Sequence, residues 1–198
     1  RRYPRRAALS VCGVWPGGRV TANDRTGVGT GSAEWRTPPD LFARLNRRFR
    51  FDYDAFASHE NALCDLYSTV EGTFRRVGDK PYQTFLCGPR GDGDGLTFPC
   101  TDRRVFMNPP YSRGLIKQCI EKAFNERERA AIIVALIPAA TETRWFQRFI
   151  LPHCHIDWLP RRVRFIDPAT LQVGGSPPSG MVIATFKTDL MARTEVPA

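Results

Sequence analysis

Blocks of apolar and polar residues follow one another through the second half of the chain. A short apolar run ends at Asn108-Pro109-Pro110-Tyr111. The next stretch, 112–129, has apolar residues at helical spacing on one face and charged residues on the other, which is typical of an amphipathic helix. An apolar run at 130–137 resembles a strand buried on both faces. Strand, helix and strand in this order predict a parallel, right-handed unit.

The first half of the chain carries a second helical signal, which begins after residue 37. Thr37 is a candidate N-cap, Pro38 suits the first helical position, and Asp40 completes a T-x-x-D capping pattern. The apolar residues that follow are spaced three or four apart. We therefore predict a helix that begins at Pro38.

Strand patterns follow this helical signal and recur toward the C-terminal end of the sequence. Apolar and acidic side chains alternate within residues 50–56, which predicts a strand. Two short strands are expected on either side of 160–162, and a last strand over 181–186. Residues 68–100 show no regular period and are rich in glycine. A loop of that length in a compact domain is usually functional or mobile.

The tetrapeptide Asn108-Pro109-Pro110-Tyr111 carries the chemistry with the most specific pattern. Two prolines in succession end a strand and stiffen the loop that follows, and in an open α/β sheet such a loop lies where ligands bind. The carboxamide oxygen of Asn108 and the carbonyl of Pro109 can accept both N–H groups of an exocyclic amine, while Tyr111 can stack on a ring. The alternative is an Asn-Pro turn that only ends the strand.

Charge and cysteine usage narrow the possible partners. The net charge of +9 and the pI of about 9.7 favour a polyanion or an anionic surface. No apolar run is long enough for a membrane span, and the N-terminus has no signal-peptide core, so we expect no membrane partner. The six cysteines form no C-x-x-C pair, which indicates a reducing compartment and no metal site.

Several short motifs, taken in order, resemble one family. They are Glu34-Trp35-Arg36-Thr37-Pro38-Pro39, the cluster Asp54, Ala57, Ser58 and Asn61, Asp94-Gly95-Leu96, the tetrapeptide, and Ala135 to Phe146 with its Pro138, Thr141 and Trp145. Over residues 33–187 this set resembles the phage-type (Dam-like) DNA N6-adenine methyltransferases. The tetrapeptide is the most specific member of the set, and the order of the others adds to it.

The resemblance implies a Rossmann-like, S-adenosylmethionine-dependent methyltransferase fold of the α/β class, with a mostly parallel sheet and an antiparallel last strand. The implied activity is transfer of a methyl group to the N6 atom of a flipped adenine in double-stranded DNA. Asn108, Pro109, Pro110 and Tyr111 would hold the adenine. Residues implied to line the cofactor site are Trp35, Thr37, Pro38, Asp54, Phe56, Ala57, Ser58, Asn61 and Asp94.

Aspartate occurs at the first tetrapeptide position in other amino-methyltransferases. On that basis Asn108→Asp is expected to be milder than Asn108→Ala.

The expected organisation is a basic, glycine-rich N-terminal arm (1–33), a methyltransferase domain (34–187) with a candidate target-recognition insert (70–100), and a C-terminal tail (188–198). Such a protein would act in the cytoplasm of a bacterial host as a phage or prophage product. Candidate DNA-binding residues are Arg75, Arg76, Arg113, Arg144, Arg161 and Arg162. The recognised sequence and the oligomeric state are left open.

Three alternatives also remain at this point: a protein glutamine-N5 methyltransferase, an RNA adenine methyltransferase, and an inactive DNA-binding protein on a methyltransferase scaffold. Ala55-Phe56-Ala57-Ser58 stands where glutamine methyltransferases normally carry a Gly-rich first turn, and this difference and the positive charge favour DNA.

Overall fold

The computed structural model describes most of the chain between residues 35 and 186, in the ranges 35–69, 72–77, 80–85, 94–112, 114–167, 170–174 and 179–186. The expected arm (1–33), the expected tail (188–198) and Arg113 lie outside the described residues. The helical elements are α1 (Pro39–Phe49), α2 (Leu115–Glu126) and a π-helical segment (Phe146–Ile150). The strands are β1 (Tyr53–Asp54), β2 (Leu66–Ser68), β3 (Thr73–Val77), β4 (Lys80–Phe85), β5 (Arg104–Met107), β6 (Ile132–Pro138), β7 (His155–Trp158) and β8 (Met181–Phe186).

The eight strands form one sheet in the order β4-β3-β2-β1-β5-β6-β8-β7. The four middle strands, β2, β1, β5 and β6, are parallel to their neighbours among themselves, and the other pairings are antiparallel. The expectation of a mostly parallel sheet therefore holds only for the middle. As expected, β8, the last strand of the described residues, is antiparallel to its neighbours, but the edge position belongs to β7.

The order of the parallel strands creates a switch point between β1 and β5. From β1 the chain adds β2 on one side, and it later adds β5 and β6 on the other side. The carboxyl ends of these strands lie at one edge of the sheet, which we call the carboxyl edge. Ligands of open α/β sheets bind outside this edge, at the switch point. Asn108 is the first residue after β5.

Helices cover both faces of the middle strands. On one face α1 packs through Leu41 and Phe49 against a cluster that includes Phe106 and Val134. On the other face α2 and the π-helical segment pack against a cluster that includes Val105. Successive β6 side chains enter these two clusters alternately, as the strand geometry requires. The predicted helix–strand unit is confirmed, and β6 is buried on both faces from Ile132 to Ile137.

The expected cap of the first helix is wrong by one residue. Helix α1 begins at Pro39, Pro38 is its N-cap, and the cap makes no side-chain hydrogen bond. Pro39 at the first position fits, because the fixed φ of proline suits a helix start and its missing N–H loses no helical bond there. Thr37 is instead buried, with 6% of its surface exposed, and Asp40 lies in the first turn.

The expected strand over 50–56 is shorter, and both of its residues are buried. Strand β1 contains only Tyr53 and Asp54, although the N–H of Ala55 still donates to Phe106 O at 3.0 Å. Asp54 is 3% exposed even though its charge predicts the solvent side. A central strand has neighbours on both sides and layers on both faces, so the alternation in sequence does not mark a wet face here.

A hairpin occupies part of the region expected to be irregular. Strands β3 and β4 pair antiparallel, and Val77 pairs with Lys80. Two strand-like runs separated by Gly78-Asp79 are a sequence signal for such a hairpin, and the glycine-rich composition of 68–100 obscured it. No helix in the described ranges is both long enough and apolar enough to cross a membrane.

Candidate functional site

The Asn108 carboxamide is held from both ends at the switch point. Its Nδ2 donates to the main-chain carbonyl of Trp35 at 2.9 Å, and its Oδ1 accepts from the hydroxyl of Tyr111 at 2.6 Å. A carbonyl oxygen has no proton to give, so only the amide nitrogen can face Trp35. The amide orientation therefore follows from its partners. Asn108 itself is half-buried, and its oxygen has a second lone pair that can accept another bond.

Tyr111 lies across the loop with its hydroxyl directed inward. The same hydroxyl lies 3.3 Å from the carbonyl oxygen of Leu136 in β6. Burial raises the pKa of the Tyr111 phenol far above its usual range, so the group remains a neutral donor. Part of the residue is still accessible, because Tyr111 as a whole is only half-buried. Stacking of its ring on a base stays a prediction.

An aromatic wall closes one side of this loop. The ring of Phe165 lies edge-on to Tyr111, with 6.2 Å between centroids, and tilted against Trp35, with 6.3 Å between centroids. The segments that carry Trp35 and Phe165 are held together by main-chain hydrogen bonds, because Arg36 pairs with Ile166 as an antiparallel bridge. Sequence reasoning missed Phe165. The only sequence signal is that it alternates with Val163 in a segment after β7.

A closely approaching glycine lies against the Trp35 ring. A side chain on Gly174 would meet that ring at 2.5 Å, while the Gly174 N–H donates to Phe165 O at 2.7 Å. Gly174 therefore contributes to the packing of the site.

The turn after β1 is closed by its own side chains. The Ser58 N–H donates to Asn61 Oδ1 at 2.6 Å, and the Ala57 N–H donates to Ser68 O in β2 at 2.8 Å. His59 anchors the turn to β2 through a 2.9 Å contact between its Nδ1 and the Tyr67 hydroxyl. The structure thus gives Asn61 a structural partner, and a contact of this turn with a cofactor stays a prediction.

Asp54 has a buried carboxylate that is only half satisfied. Its Oδ2 accepts from the Leu63 N–H at 3.1 Å. Its Oδ1 is enclosed and has no hydrogen-bond partner among the described residues. Burial raises the pKa of Asp54 to about 7, and hydrogen bonds from the main chain offset only part of that rise. A buried acceptor without a donor is the kind of atom that a bound ligand can satisfy.

Asp94 lies beside the turn that follows β1. Its Oδ1 accepts from the N–H groups of Leu96 and Thr97 at 3.1 and 3.0 Å, so the carboxylate closes a local turn. A Cβ on Gly95 would collide with the carbonyl oxygen of Ala55 and approach the Phe56 ring to 2.8 Å. The structure therefore places Asp94 and Gly95 against the predicted cofactor turn, with backbone touching backbone.

The six candidate DNA-binding arginines separate into groups. Trp158 at the end of β7 pairs with Val182, which pairs with Ile137, so residues 159–162 continue beyond the carboxyl edge. Of the six, Arg144, Arg161 and Arg162 are exposed and follow strand ends at this edge. Arg75 pairs with Leu66 at the start of β2, and the Arg76 N–H donates to Asp65 O, so both lie toward the opposite edge.

Arg48 and Arg104, each next to another arginine in the sequence, have partners within the protein. The Nε of Arg104 donates to the carbonyl of Phe49, and Arg48 forms an ion pair with Asp157 at 3.0 Å.

The described residues contain no group of three or more His, Cys, Asp or Glu side chains that could hold a metal ion.

Sequence comparison identifies the family to which this site belongs. The model of the family described as DNA N-6-adenine-methyltransferase (Dam) matches residues 94–196, which is 103 of the 198 residues. The chain belongs to the Dam family. The matched range contains Asp94, the tetrapeptide, β5, α2, β6 and β8. Trp35 and the turn after β1 precede it.

A named relative supports the same assignment to the Dam family. The chain is 30% identical over 127 residues to a DNA N-6-adenine-methyltransferase of Escherichia phage T1. The alignment covers 63% of this chain and 44% of the phage protein, so the chain spans less than half the length of that relative. The resemblance to the phage-type Dam-like family is confirmed.

Proposed function

We propose that this chain transfers a methyl group from S-adenosylmethionine to the N6 atom of adenine in double-stranded DNA. The observation that carries the proposal is the carboxamide of Asn108, fixed at the switch point between β1 and β5 in a member of the Dam family. The parallel middle strands, helices on both faces and the reversed β8 support the Rossmann-like methyltransferase fold that this activity requires.

In this proposal the tetrapeptide places and polarises the target amine. Asn108 Oδ1 and the Pro109 carbonyl accept its two N–H groups, which leaves the nitrogen lone pair directed away from them. Such fixed acceptors need no reorganisation as charge develops. No histidine or lysine lies within five positions of the tetrapeptide on either side, so a side-chain base from this segment is absent. The sulfonium of the donor is already activated, so we expect the proton to leave after transfer.

The residues around Asp54 fit a nucleoside-containing cofactor. The buried, unpartnered Oδ1 of Asp54 can accept from a hydroxyl or amino group, and Gly95 and Ala57 place little or no side chain beside the adjoining turn. Trp35, Thr37, Pro38, Phe56, Ser58, Asn61 and Asp94 complete the proposed cofactor region. When bound, S-adenosylmethionine supplies an activated sulfonium methyl group.

We assign DNA contact first to the carboxyl edge. Arg144, Arg161 and Arg162 are exposed there, and the net charge of +9 favours a polyanion. The target amino group is engaged in base pairing inside a duplex, so the adenine is flipped out before it reaches Asn108. A phage or prophage product of this kind would act on DNA in the bacterial cytoplasm.

A product assay tests the proposal and separates it from the alternatives. The protein is incubated with radiolabelled S-adenosylmethionine and, in parallel, with duplex DNA, the same sequence as RNA, and a Gln-containing polypeptide. We expect label in duplex DNA that is recovered as N6-methyladenine, with tighter binding when the adenine is mismatched. Label only in RNA or polypeptide, or cofactor binding without any transfer, would refute the DNA methyltransferase assignment.

A further inference from the structure

The acceptor function proposed for Asn108 depends on which end of its carboxamide faces the substrate. The Trp35 carbonyl lies 2.9 Å from Nδ2, and the Tyr111 hydroxyl lies 2.6 Å from Oδ1. Trp35 comes from the segment before α1, and Tyr111 from the loop after β5, so two distant parts of the chain meet on one side chain.

We propose that the main-chain carbonyl of Trp35 and the hydroxyl of Tyr111 are positioning groups for Asn108, and that together they make this site require an amide at position 108. The inference rests on the proposed function, in which Asn108 Oδ1 accepts from the target amine. The carbonyl holds the nitrogen end, and the hydroxyl occupies one lone pair of the oxygen. The second lone pair then has a fixed direction.

The carbonyl of Trp35 discriminates between an amide and a carboxylate. With Asn108→Asp, an oxygen would replace Nδ2 at about 3 Å from the carbonyl oxygen, with no hydrogen between them when the acid is ionised. Two acceptors in contact at a half-buried site repel each other. A protonated acid can donate to Trp35 and restore the bond. The introduced carboxyl should therefore keep its proton to a higher pH than an exposed aspartate does.

This reasoning changes the expectation for Asn108→Asp. The sequence pattern predicts a mild effect, because one acceptor is kept. The contact with Trp35 predicts instead a substitution that is poorly tolerated at alkaline pH and is rescued as the pH falls. A residue needed only for its size would show no such pH dependence.

The first test measures stability without substrate. The midpoint of thermal unfolding of Asn108→Asp, relative to wild type, is followed from about pH 5.5 to about pH 8.5. We expect the deficit to grow as the pH rises. Asn46→Asp is the matched control, because Asn46 Oδ1 accepts from the Phe51 N–H at 2.8 Å and a carboxylate can do the same. Its deficit should change little over this range.

The second test measures methyl transfer to an adenine-containing duplex. Asn108→Asp should be at least about tenfold slower than wild type near pH 8.5, and the ratio should narrow severalfold near pH 6. Tyr111→Phe keeps the ring and removes the hydroxyl, so kcat should fall severalfold while KM for DNA changes little.

The two tests separate the failure of this inference from the failure of the proposed function. If wild-type protein methylates no DNA, the proposed function fails, and the stability test still decides whether Trp35 excludes a carboxylate. If the Asn108→Asp deficit is as flat with pH as that of Asn46→Asp, the positioning proposal is wrong. Unchanged kcat in Tyr111→Phe would remove the hydroxyl from it.

Discussion

At the scale of single residues, Asp54 shows how a buried group can oppose folding and still suit a site. Its carboxylate is buried, and one of its two oxygens has no donor among the described residues. Ionising such a group costs free energy, which is why burial raises the pKa of Asp54 to about 7. A ligand that donates to Oδ1 would recover part of that cost. Binding of such a ligand would therefore stabilise the folded protein.

The pH dependence of stability follows from this shift. The folded state keeps the Asp54 proton between the ordinary aspartate value of 3.8 and about 7, while the unfolded chain has lost it. Stability contributed by this group therefore falls as the pH rises through that window, and the cost is complete above it. About three pH units correspond to at most ~4 kcal/mol. Asp54→Asn should remove this fall in the free energy of unfolding.

The measurement is denaturant unfolding of the ligand-free protein at several pH values between about 5 and 8. Asp52→Asn is the matched control, because Asp52 is exposed and its Oδ1 accepts from the Arg104 N–H at 3.1 Å. The wild type and the control should lose stability in parallel as the pH rises. If Asp54→Asn shows the same slope as both of them, Asp54 is not the titrating group.

At the scale of elements, the turn after β1 depends on close backbone approach. Gly95 lies where any side chain would collide with the Ala55 carbonyl. Gly95→Ala should therefore displace this turn and lower the free energy of unfolding by about 1–3 kcal/mol. Gly180→Ala is the control, because a Cβ there meets nothing within 4 Å. Urea unfolding of both variants checks this, and equal stability of the two would contradict the packing described here.

The long periodic elements were predictable from sequence. Helix α2, β6 and β8 follow from apolar runs and helical spacing that extend over many residues. The start of α1 and the length of β1 were not, since a cap depends on one residue and burial of a central strand depends on its neighbours. The hairpin β3–β4 lies in a glycine-rich region where composition outweighed a short alternating pattern.

The candidate site likewise contains some groups that the sequence reveals and others that it does not. The tetrapeptide is visible in sequence because its chemistry is contiguous. The Trp35 carbonyl and the Phe165 ring are not visible, because a main-chain atom carries no sequence signal and Phe165 approaches Tyr111 only through the fold. The candidate DNA-binding arginines cannot be distinguished from one another in the sequence. In the structure, strand register places them at different edges of the sheet.

At the scale of the whole molecule, the effect of the +9 net charge on DNA affinity depends on where the charged side chains lie. Arginines that already bind a group within the protein, such as Arg48 and Arg104, are less free to bind phosphate. In the proposed function, arginines that follow strand ends at the carboxyl edge lie on the side of the sheet where the target base would reach Asn108. DNA affinity should therefore depend on salt mainly through that edge.

A pair of double variants tests the placement. Arg161→Gln with Arg162→Gln should reduce the slope of log K against log salt by about 2, since each lost phosphate contact contributes about 0.9. Arg75→Gln with Arg76→Gln removes the same charge from the opposite edge and should reduce the slope much less. Titration of a fluorescent duplex at several salt concentrations gives both slopes. Equal reductions would contradict the assignment of DNA to the carboxyl edge.

The central claim is that Asn108 places an adenine amine for methyl transfer. Its most direct test is single-turnover transfer from S-adenosylmethionine into an adenine-containing duplex by wild type and Asn108→Ala, with cofactor affinity measured alongside. We expect the transfer rate of the variant to be at least about a hundredfold lower than that of wild type, which is on the order of 3 kcal/mol in the barrier, with cofactor affinity nearly unchanged. Transfer at a near wild-type rate by Asn108→Ala would contradict it.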